Sequence, residues 1–438
     1  MSNRPKLHFT PPHGWINDPN GLVYDDGCWH LFYQYFPDGL KHGPMHWGHA
    51  VSRDLVIWEH WGIALAPDEL GNIWSGSAIV TEEGILTCFT HQSEQRQAQS
   101  YALSSDGGRS FTKDAANPIL SSQNPDFRDP KLFRGGEQWY IILATGPTAQ
   151  IFVSSDLRNW KLQSEVPAPQ PDWLWECPDL FDLDGVWVLI GSFIIPGRPH
   201  ETYYWLGDFD GQSYTPQSGP NRLSFGPDDY AAVSWSNAPD GRRLIIGWMS
   251  RWEYAASTPT ATEGYRGAMT LPRELTLEDG HLCQNPPREL TAYRGISQSL
   301  SGWEAGEKLA LASTSFEIEA NLEVGDAPEC GFAVITGENE VTTVGYDARS
   351  GELFIDRTRS GQVDFAPTFA GRFQAPHPLQ NNSLSLRIIV DTTSIELFAD
   401  NGQCYGAALI YPTSQQRHIE FFGAGARMVN GQVFEVTN

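Results

Sequence analysis

The sequence predicts an all-β chain, with a five-bladed β-propeller over residues 1–288 and a β-sandwich over residues 292–438. Short alternating runs such as CWHLFYQYF (28–36), QWYIILAT (138–145), VWVLIGSF (186–193) and RLIIGWMS (243–250) recur between Gly, Asp and Pro, while helix-period patterns are scarce. Two phased motif series supply the blade count. SRDLVIW (52–58), SSDGGRSF (104–111), SSDLRNW (154–160) and DFDGQSY (208–214) each set an Asp shortly before an aromatic, and Asp54, Asp106, Asp156 and Asp210 recur at roughly fifty residues, a blade-like period. Each copy reads as a turn entering an outer strand.

A second series has nearly the same period: WINDPNG (15–21), WSGSA (74–78), FRDPK (127–131), WECPDLF (175–181) and DDYAA (228–232). One such cluster opening each blade places all of them on innermost strands, converging on the central channel. Singly, Asp-Pro dipeptides are ordinary turn signals; phased together they mark a site. After LPRELTLEDG (271–280), the Pro-containing stretch HLCQNPPRELTAYRG reads as the interdomain connection. The remainder keeps alternating strands, FEIEANLEV, LSLRIIVD and SIELFAD, without Trp-rich clusters, which suits a sandwich.

Composition agrees with short strands and many turns: aromatics make up 12% of the chain, with 16 Trp, 42 Gly and 30 Pro. Flat apolar rings also suit the C–H faces of sugars. A formal net charge of −24 disfavours nucleic acid and anionic membranes as partners, leaving a neutral substrate. The oligomeric state, monomer or dimer, stays open. Six cysteines are scattered without CxxC or zinc-ligand spacing, and HExxH, GxxxxGK[ST] and strand-following GxGxxG are absent, so cofactor-free and metal-free chemistry is expected. The N-terminal stretch MSNRPKLHFTPPHGW has no apolar h-region, and nothing approaches the roughly 18 apolar residues of a bilayer span. The expected location is cytoplasmic, with secretion the alternative if a leader once preceded the chain.

Hydrolysis of a glycosidic bond needs two carboxyl groups in unlike environments, one protonated and one ionised. The clusters offer Asp18, Asp129, Glu176, Asp179, Asp228 and Asp229. Asp18 lies in a tight Asn-Asp-Pro-Asn-Gly turn whose donors can hold a carboxylate ionised, as a nucleophile requires. Glu176 is framed by Trp173, Trp175, Cys177 and Pro178, an apolar setting that favours a proton donor. Asp129 follows Arg128, which should keep it ionised and ready to accept hydrogen bonds from sugar hydroxyls.

These motifs, in this order, resemble glycoside hydrolase family 32, the fructan-cleaving family of invertases, exo-inulinases and levanases. WINDPNG resembles its nucleophile motif, FRDPK its Arg-Asp-Pro motif and WECPDLF its Glu-Cys acid/base motif. The flanking segments MHWGHAVSRDLVIWEH, WSGSA, GDFDG, DDYAAVSW and GWMSRWEYA most resemble the bacterial levanase and exo-inulinase branch, over about the first 290 residues. The resemblance implies a five-bladed propeller with an appended sandwich. It further implies catalysis by Asp18, Asp129 and Glu176, sugar binding by Asn17, Gln34, Ser75 and Arg128, and a pocket walled by Trp47, Trp74 and Trp252. Two departures stand out: His42 occupies a position, eight after Gln34, where the family commonly has Trp, and Phe36 replaces the Asn or His of many members. Both should reshape the pocket rim, with His42 expected in the pocket. The expected activity is retaining, exo-acting hydrolysis of terminal β-fructofuranosyl linkages in sucrose, fructo-oligosaccharides or fructans. A fructosyltransferase of the same fold and a catalytically silent carbohydrate-binding propeller are the alternatives.

Overall fold

The structure is a computed structural model and describes residues 4–437. Among the described residues, five mainly antiparallel sheets follow one another in chain order, and two six-stranded sheets follow them. The five are propeller blades, each starting at the channel and running outward. Their inner strands are Gly14–Asp25, Asn72–Thr81, Arg128–Gly135, Leu174–Leu183 and Tyr230–Ser234. Every cluster of the second motif series therefore falls at an inner strand, as its phasing requires. The alternating runs read from the sequence form second strands: Cys28–Phe36, Gln138–Ala144, Val186–Ile194 and Leu244–Trp248.

The repeated Asp turns also lie where their period puts them, between the third and fourth strands of the first four blades. Asp54 accepts the N–H groups of Val56 and Ile57, Asp156 those of Arg158 and Asn159, and Asp210 those of Gln212 and Ser213. Each short carboxylate caps backbone donors that the turn leaves unpaired. The ring closes in a way that no motif announced. Between the second and third strands of the fifth blade, an excursion carries the one-turn helix Trp252–Ala255 and the short strand Tyr265–Arg266, which pairs in parallel with Gly14 and Trp15 of the first blade.

The last strand of the fifth blade ends at Asn285, and the first sandwich strand begins at Arg294. The two sandwich sheets enclose an apolar core that includes Phe316, Ile318, Phe332, Val344, Ile355, Ile388, Leu397 and Phe421. FEIEANLEV, LSLRIIVD and SIELFAD form the strands Phe316–Glu323, Ser383–Asp391 and Ser394–Ala399. No helix among the described residues is long and apolar enough to cross a membrane.

The two units are joined by buried polar contacts. Asp391 of the sandwich accepts the N–H groups of Lys6, Leu7 and His8, and the His8 ring bridges Asp391 and Glu396 at 2.9 and 2.8 Å. Burial alone would lower the imidazole pKa, but the two carboxylates outweigh it and raise it to about 9, so His8 is a cation at neutral pH. A basic group raised in the folded state lends stability that is complete below its unfolded value near 6.5 and fades as pH climbs through about 9. His8→Gln should therefore lower unfolding free energy by about 3 kcal/mol at pH 6, a deficit that shrinks toward pH 10. Urea unfolding at the two pH values checks this.

Candidate active site

The inner strands cannot alternate regularly at the channel mouth. In every blade the pairing register slips at the same level, between Ile16 and Pro19, Trp74 and Gly76, Arg128 and Lys131, Glu176 and Asp179, and Tyr230 and Val233. These are β-bulges, and they explain the dipeptides in the sequence. Pro19, Pro130 and Pro178 stand where the ladder needs no N–H, one of the few places a strand tolerates proline. Asp129, Cys177 and Ala231 take φ of 61°, 45° and 53°, a left-handed backbone that non-glycine residues rarely adopt. Each bulge turns side chains into the channel that a regular strand would send elsewhere.

The channel mouth consequently holds three carboxyl groups in one chain of contacts. Asp18 is fixed from two sides: the Asn17 amide donates to Oδ1 at 3.0 Å and the Ser75 hydroxyl to Oδ2 at 2.7 Å. Asn17 is itself held by the Trp15 indole N–H at 2.9 Å. The Cys177 Sγ lies 3.6 Å from Asp18 Oδ2 and 3.7 Å from Asp129 Oδ2, and the Cys177 N–H donates to Asp129 at 3.0 Å. Arg128 links the other two, with Nε 3.9 Å from Asp129 Oδ2 and Nη2 3.4 Å from Glu176 Oε1. The second oxygen of Glu176 accepts from the Tyr230 hydroxyl at 2.5 Å. Asp18 and Glu176, 158 residues apart in sequence, thus share one pit.

The floor beneath is sealed. Lys131 donates to Asp179 at 2.9 Å and to the Ser234 carbonyl at 2.6 Å, bridging three blades. The void left between Asp129, Lys131, Cys177 and their neighbours is about 10 Å3, room for one water at most. The site is a blind pocket and not a through-channel.

Electrostatics differ from the simple expectation for Asp129. Burial dominates, and Glu176 and Asp18 add to it, so the carboxyl is raised to about 7 despite Arg128 and the Cys177 N–H. Arg128 does not hold it firmly ionised. Burial likewise pushes the Cys177 thiol and the Tyr230 phenol well above their usual ranges, with the carboxylates reinforcing it, so both remain protonated donors.

Residues 8–286 match the family described as Glycosyl hydrolases family 32 N-terminal domain, and residues 289–436 match Glycosyl hydrolases family 32 C terminal. The chain belongs to glycosyl hydrolase family 32. It is 42% identical to a levanase of Bacillus subtilis (strain 168), over 96% of this chain and 68% of the relative. A levanase of Bacillus sp. (strain L7) is 33% identical, and the chain spans 51% of its length. An extracellular exo-inulinase of Aspergillus ficuum is 32% identical over 96% of this chain and 92% of that protein. The crystal structure of an exo-inulinase from Aspergillus awamori aligns with a TM-score of 0.91 at 30% identity, covering 100% of this chain and 99% of that one. A β-fructofuranosidase from Schwanniomyces occidentalis, complexed with fructosyl-erythritol, aligns at 0.89 and 26% identity, covering 100% and 98%.

Within this family 32 glycoside hydrolase, the surroundings of several expected residues differ from the sequence reading. Trp47 does not wall the pocket: it is fully enclosed among Val23, Phe32, Ile73 and Phe89, and its indole N–H supports the Trp74 carbonyl at 3.0 Å. Trp173 and Trp175 do not frame Glu176 but pack outward against Phe193, Tyr203 and Trp205. Asp228 and Asp229 are consumed in buried ion pairs with Arg357 and Arg273. Gln34 is buried and donates to the Ile73 carbonyl at 3.1 Å, bracing the second blade's inner strand.

His42 does reach the rim, its ring 6.4 Å from that of Trp74 and 5.7 Å from that of Trp252. Phe36 acts from below: its ring fills the space where Gly39 or Gly43 would carry a Cβ, under the loop that bears His42. Rim residues missed from the sequence include Glu253, 3.6 Å from His200, whose ring lies 5.8 Å from that of Tyr230. Glu253 lies within the WMSRWEYA segment, whereas His200 stands outside every motif of the sequence.

An acid raised in the folded state destabilises it as pH rises above the unfolded value near 3.9. Asp129→Asn should therefore increase stability by about 1–3 kcal/mol at pH 8, with the gain vanishing near pH 4. Thermal unfolding across that range measures it.

Proposed function

We propose that this enzyme is a retaining, exo-acting β-fructofuranosidase that hydrolyses terminal β-fructofuranosyl linkages in sucrose, fructo-oligosaccharides or fructans. The observation that carries the reading is the linked placement of Asp18, Asp129 and Glu176 in one blind pocket. The fructosyl substrates and products named for relatives agree with it: levan and inulin in enzyme names, fructosyl-erythritol and sucrose in complexes.

Glu176 gives a proton to the glycosidic oxygen as the C2–O bond breaks, and Asp18 attacks C2 to form a fructosyl ester. Glu176, now ionised, takes a proton from water, whose oxygen adds to C2 and releases Asp18. Asn17 and Ser75 hold the attacking carboxylate in one orientation. Asp129 accepts from fructosyl hydroxyls, and its buried charge is favoured as positive charge builds over C2 and the ring oxygen. A pocket closed at its floor takes a chain end in preference to a mid-chain segment.

Asp18→Ala and Glu176→Ala should each lower kcat on sucrose by about three orders of magnitude or more with the fold intact. Azide should restore turnover of an activated donor by Glu176→Ala. A Glu176→Ala enzyme with near-normal kcat would reject the mechanism, and initial-rate assays over sucrose, kestose, inulin and levan identify the donor. Product analysis at high sucrose separates hydrolysis from transfer. His42→Trp should alter the sucrose-to-inulin ratio of kcat/KM by about threefold or more with unchanged thermal stability.

A further inference from the structure

The segment that delivers Tyr230 to Glu176 is laid on the sandwich. Residues 223–229 run beside the sandwich strand Cys404–Leu409. The Phe225 N–H donates to the Tyr405 carbonyl at 2.9 Å, the Asp228 N–H to the Ala407 carbonyl at 3.2 Å, and the Leu409 N–H returns a bond to Asp228 Oδ2 at 2.8 Å. The approach is so close that a Cβ on Gly226 would lie 2.1 Å from the Ala407 carbonyl oxygen.

Ionic contacts reinforce this. Asp228 is wholly buried and accepts from Arg357 of the sandwich and from the Tyr254 hydroxyl. Arg357 is in turn immobilised by the carbonyls of Phe369 and Leu409, at 2.7 and 3.1 Å, and by Tyr254 at 2.9 Å. Asp229 points the other way, into a two-pronged pair with Arg273 at 2.5 and 3.1 Å, and Arg273 lies 4.2 Å over the Tyr405 ring of the sandwich. The next residue is Tyr230, whose hydroxyl meets Glu176. Ala231 then leaves through a left-handed backbone, its N–H held by Ser192 Oγ at 3.1 Å.

Two consecutive buried carboxylates are a costly way to enter a strand, since each needs a dedicated cation. What they achieve is a fixed origin for Tyr230. Displacement of a catalytic group by about 1 Å can cost 10²-fold in rate. We propose that Arg357 and Asp228 form an interdomain positioning device that sets the Glu176 carboxyl through Tyr230, so that the sandwich takes part in proton donation without touching substrate. The proposal rests on Glu176 being the acid/base.

The test compares kcat/KM on sucrose, whose leaving group needs a proton, with kcat/KM on p-nitrophenyl β-D-fructofuranoside, whose leaving group does not. Arg357→Met and Tyr230→Phe should each lower the sucrose value by about tenfold or more and the aryl value by less than about threefold. The double variant should fall no more than about twofold below the worse single one, because both act through one contact. Arg357→Lys should recover part of the sucrose activity. Equal losses on both donors, or multiplied losses in the double variant, overturn the proposal. If Arg357→Met does not fold, Asp228→Asn carries the same comparison, and a folded Asp228→Asn enzyme with unchanged sucrose kcat/KM overturns it. Failure of both variants to fold assigns the pair to stability alone and equally overturns it. Glu176→Ala, measured alongside, must itself spare the aryl kcat/KM; a loss as large as on sucrose rejects the acid/base assignment, whatever Arg357 does.

Discussion

The bulge shared by all five inner strands is the constraint on which the site depends. A regular strand sends successive side chains to opposite faces, so only every second residue could face the channel. By breaking that alternation at one level, the bulges allow neighbouring residues such as Asn17 and Asp18, or Arg128 and Asp129, to act in the same pit. The backbone strain is real: sparsely populated φ values at Asp129, Cys177 and Ala231 each cost on the order of 1 kcal/mol or more. It persists because the bulged N–H groups find fixed partners, Thr90 Oγ1 for Asp129, Asp129 Oδ2 for Cys177 and Ser192 Oγ for Ala231. The second, third and fourth blades thus each secure the irregularity of the blade that follows.

Charge placement follows from that geometry. One guanidinium, that of Arg128, is shared by Asp126, Asp129 and Glu176, while the ammonium below is committed to Asp179. Burial is the chief reason that the Asp129 pKa is raised, and the neighbouring Glu176 and Asp18 carboxylates add to it against the pull of Arg128. An arrangement that disfavours its own empty state is suited to a substrate that becomes positive during reaction, because the developing cation supplies what the protein withholds. Cys177 has a modest part in this. Its protonated thiol separates Asp18 from Asp129 with a weak donor and adds no further charge.

The strands, the blade count and the three carboxylates were legible in the sequence because turn chemistry and period carry them directly. Asp54, Asp106, Asp156 and Asp210 cap turns locally, so their spacing alone reveals the repeat. Environments were less legible. Trp175 precedes Glu176, but adjacent strand residues face opposite ways, so its indole says nothing of the carboxyl's surroundings. What surrounds Glu176 comes from other blades, through Arg128 and Tyr230. Asp228 and Asp229 resembled site carboxylates because sequence shows charge without showing which distant arginine meets it. Arg357 is 129 residues away.

The rim shows why a single exchange is a poor guide to specificity. Where the family resemblance implies Trp, His42 places a smaller, polar ring between Trp74 of the second blade and Trp252 of the fifth-blade excursion. Trp252 is not free to follow it, being stacked 6.1 Å from Trp15 and set edge-on to Trp248. The loop bearing His42 is equally constrained from beneath, since the Phe36 ring leaves no space for a side chain at Gly39 or Gly43. The two departures at positions 36 and 42 are therefore coupled, because the phenyl ring packs against the glycines on either side of His42. A change at position 42 would act on a loop still packed against Phe36, so the two positions shape the mouth together.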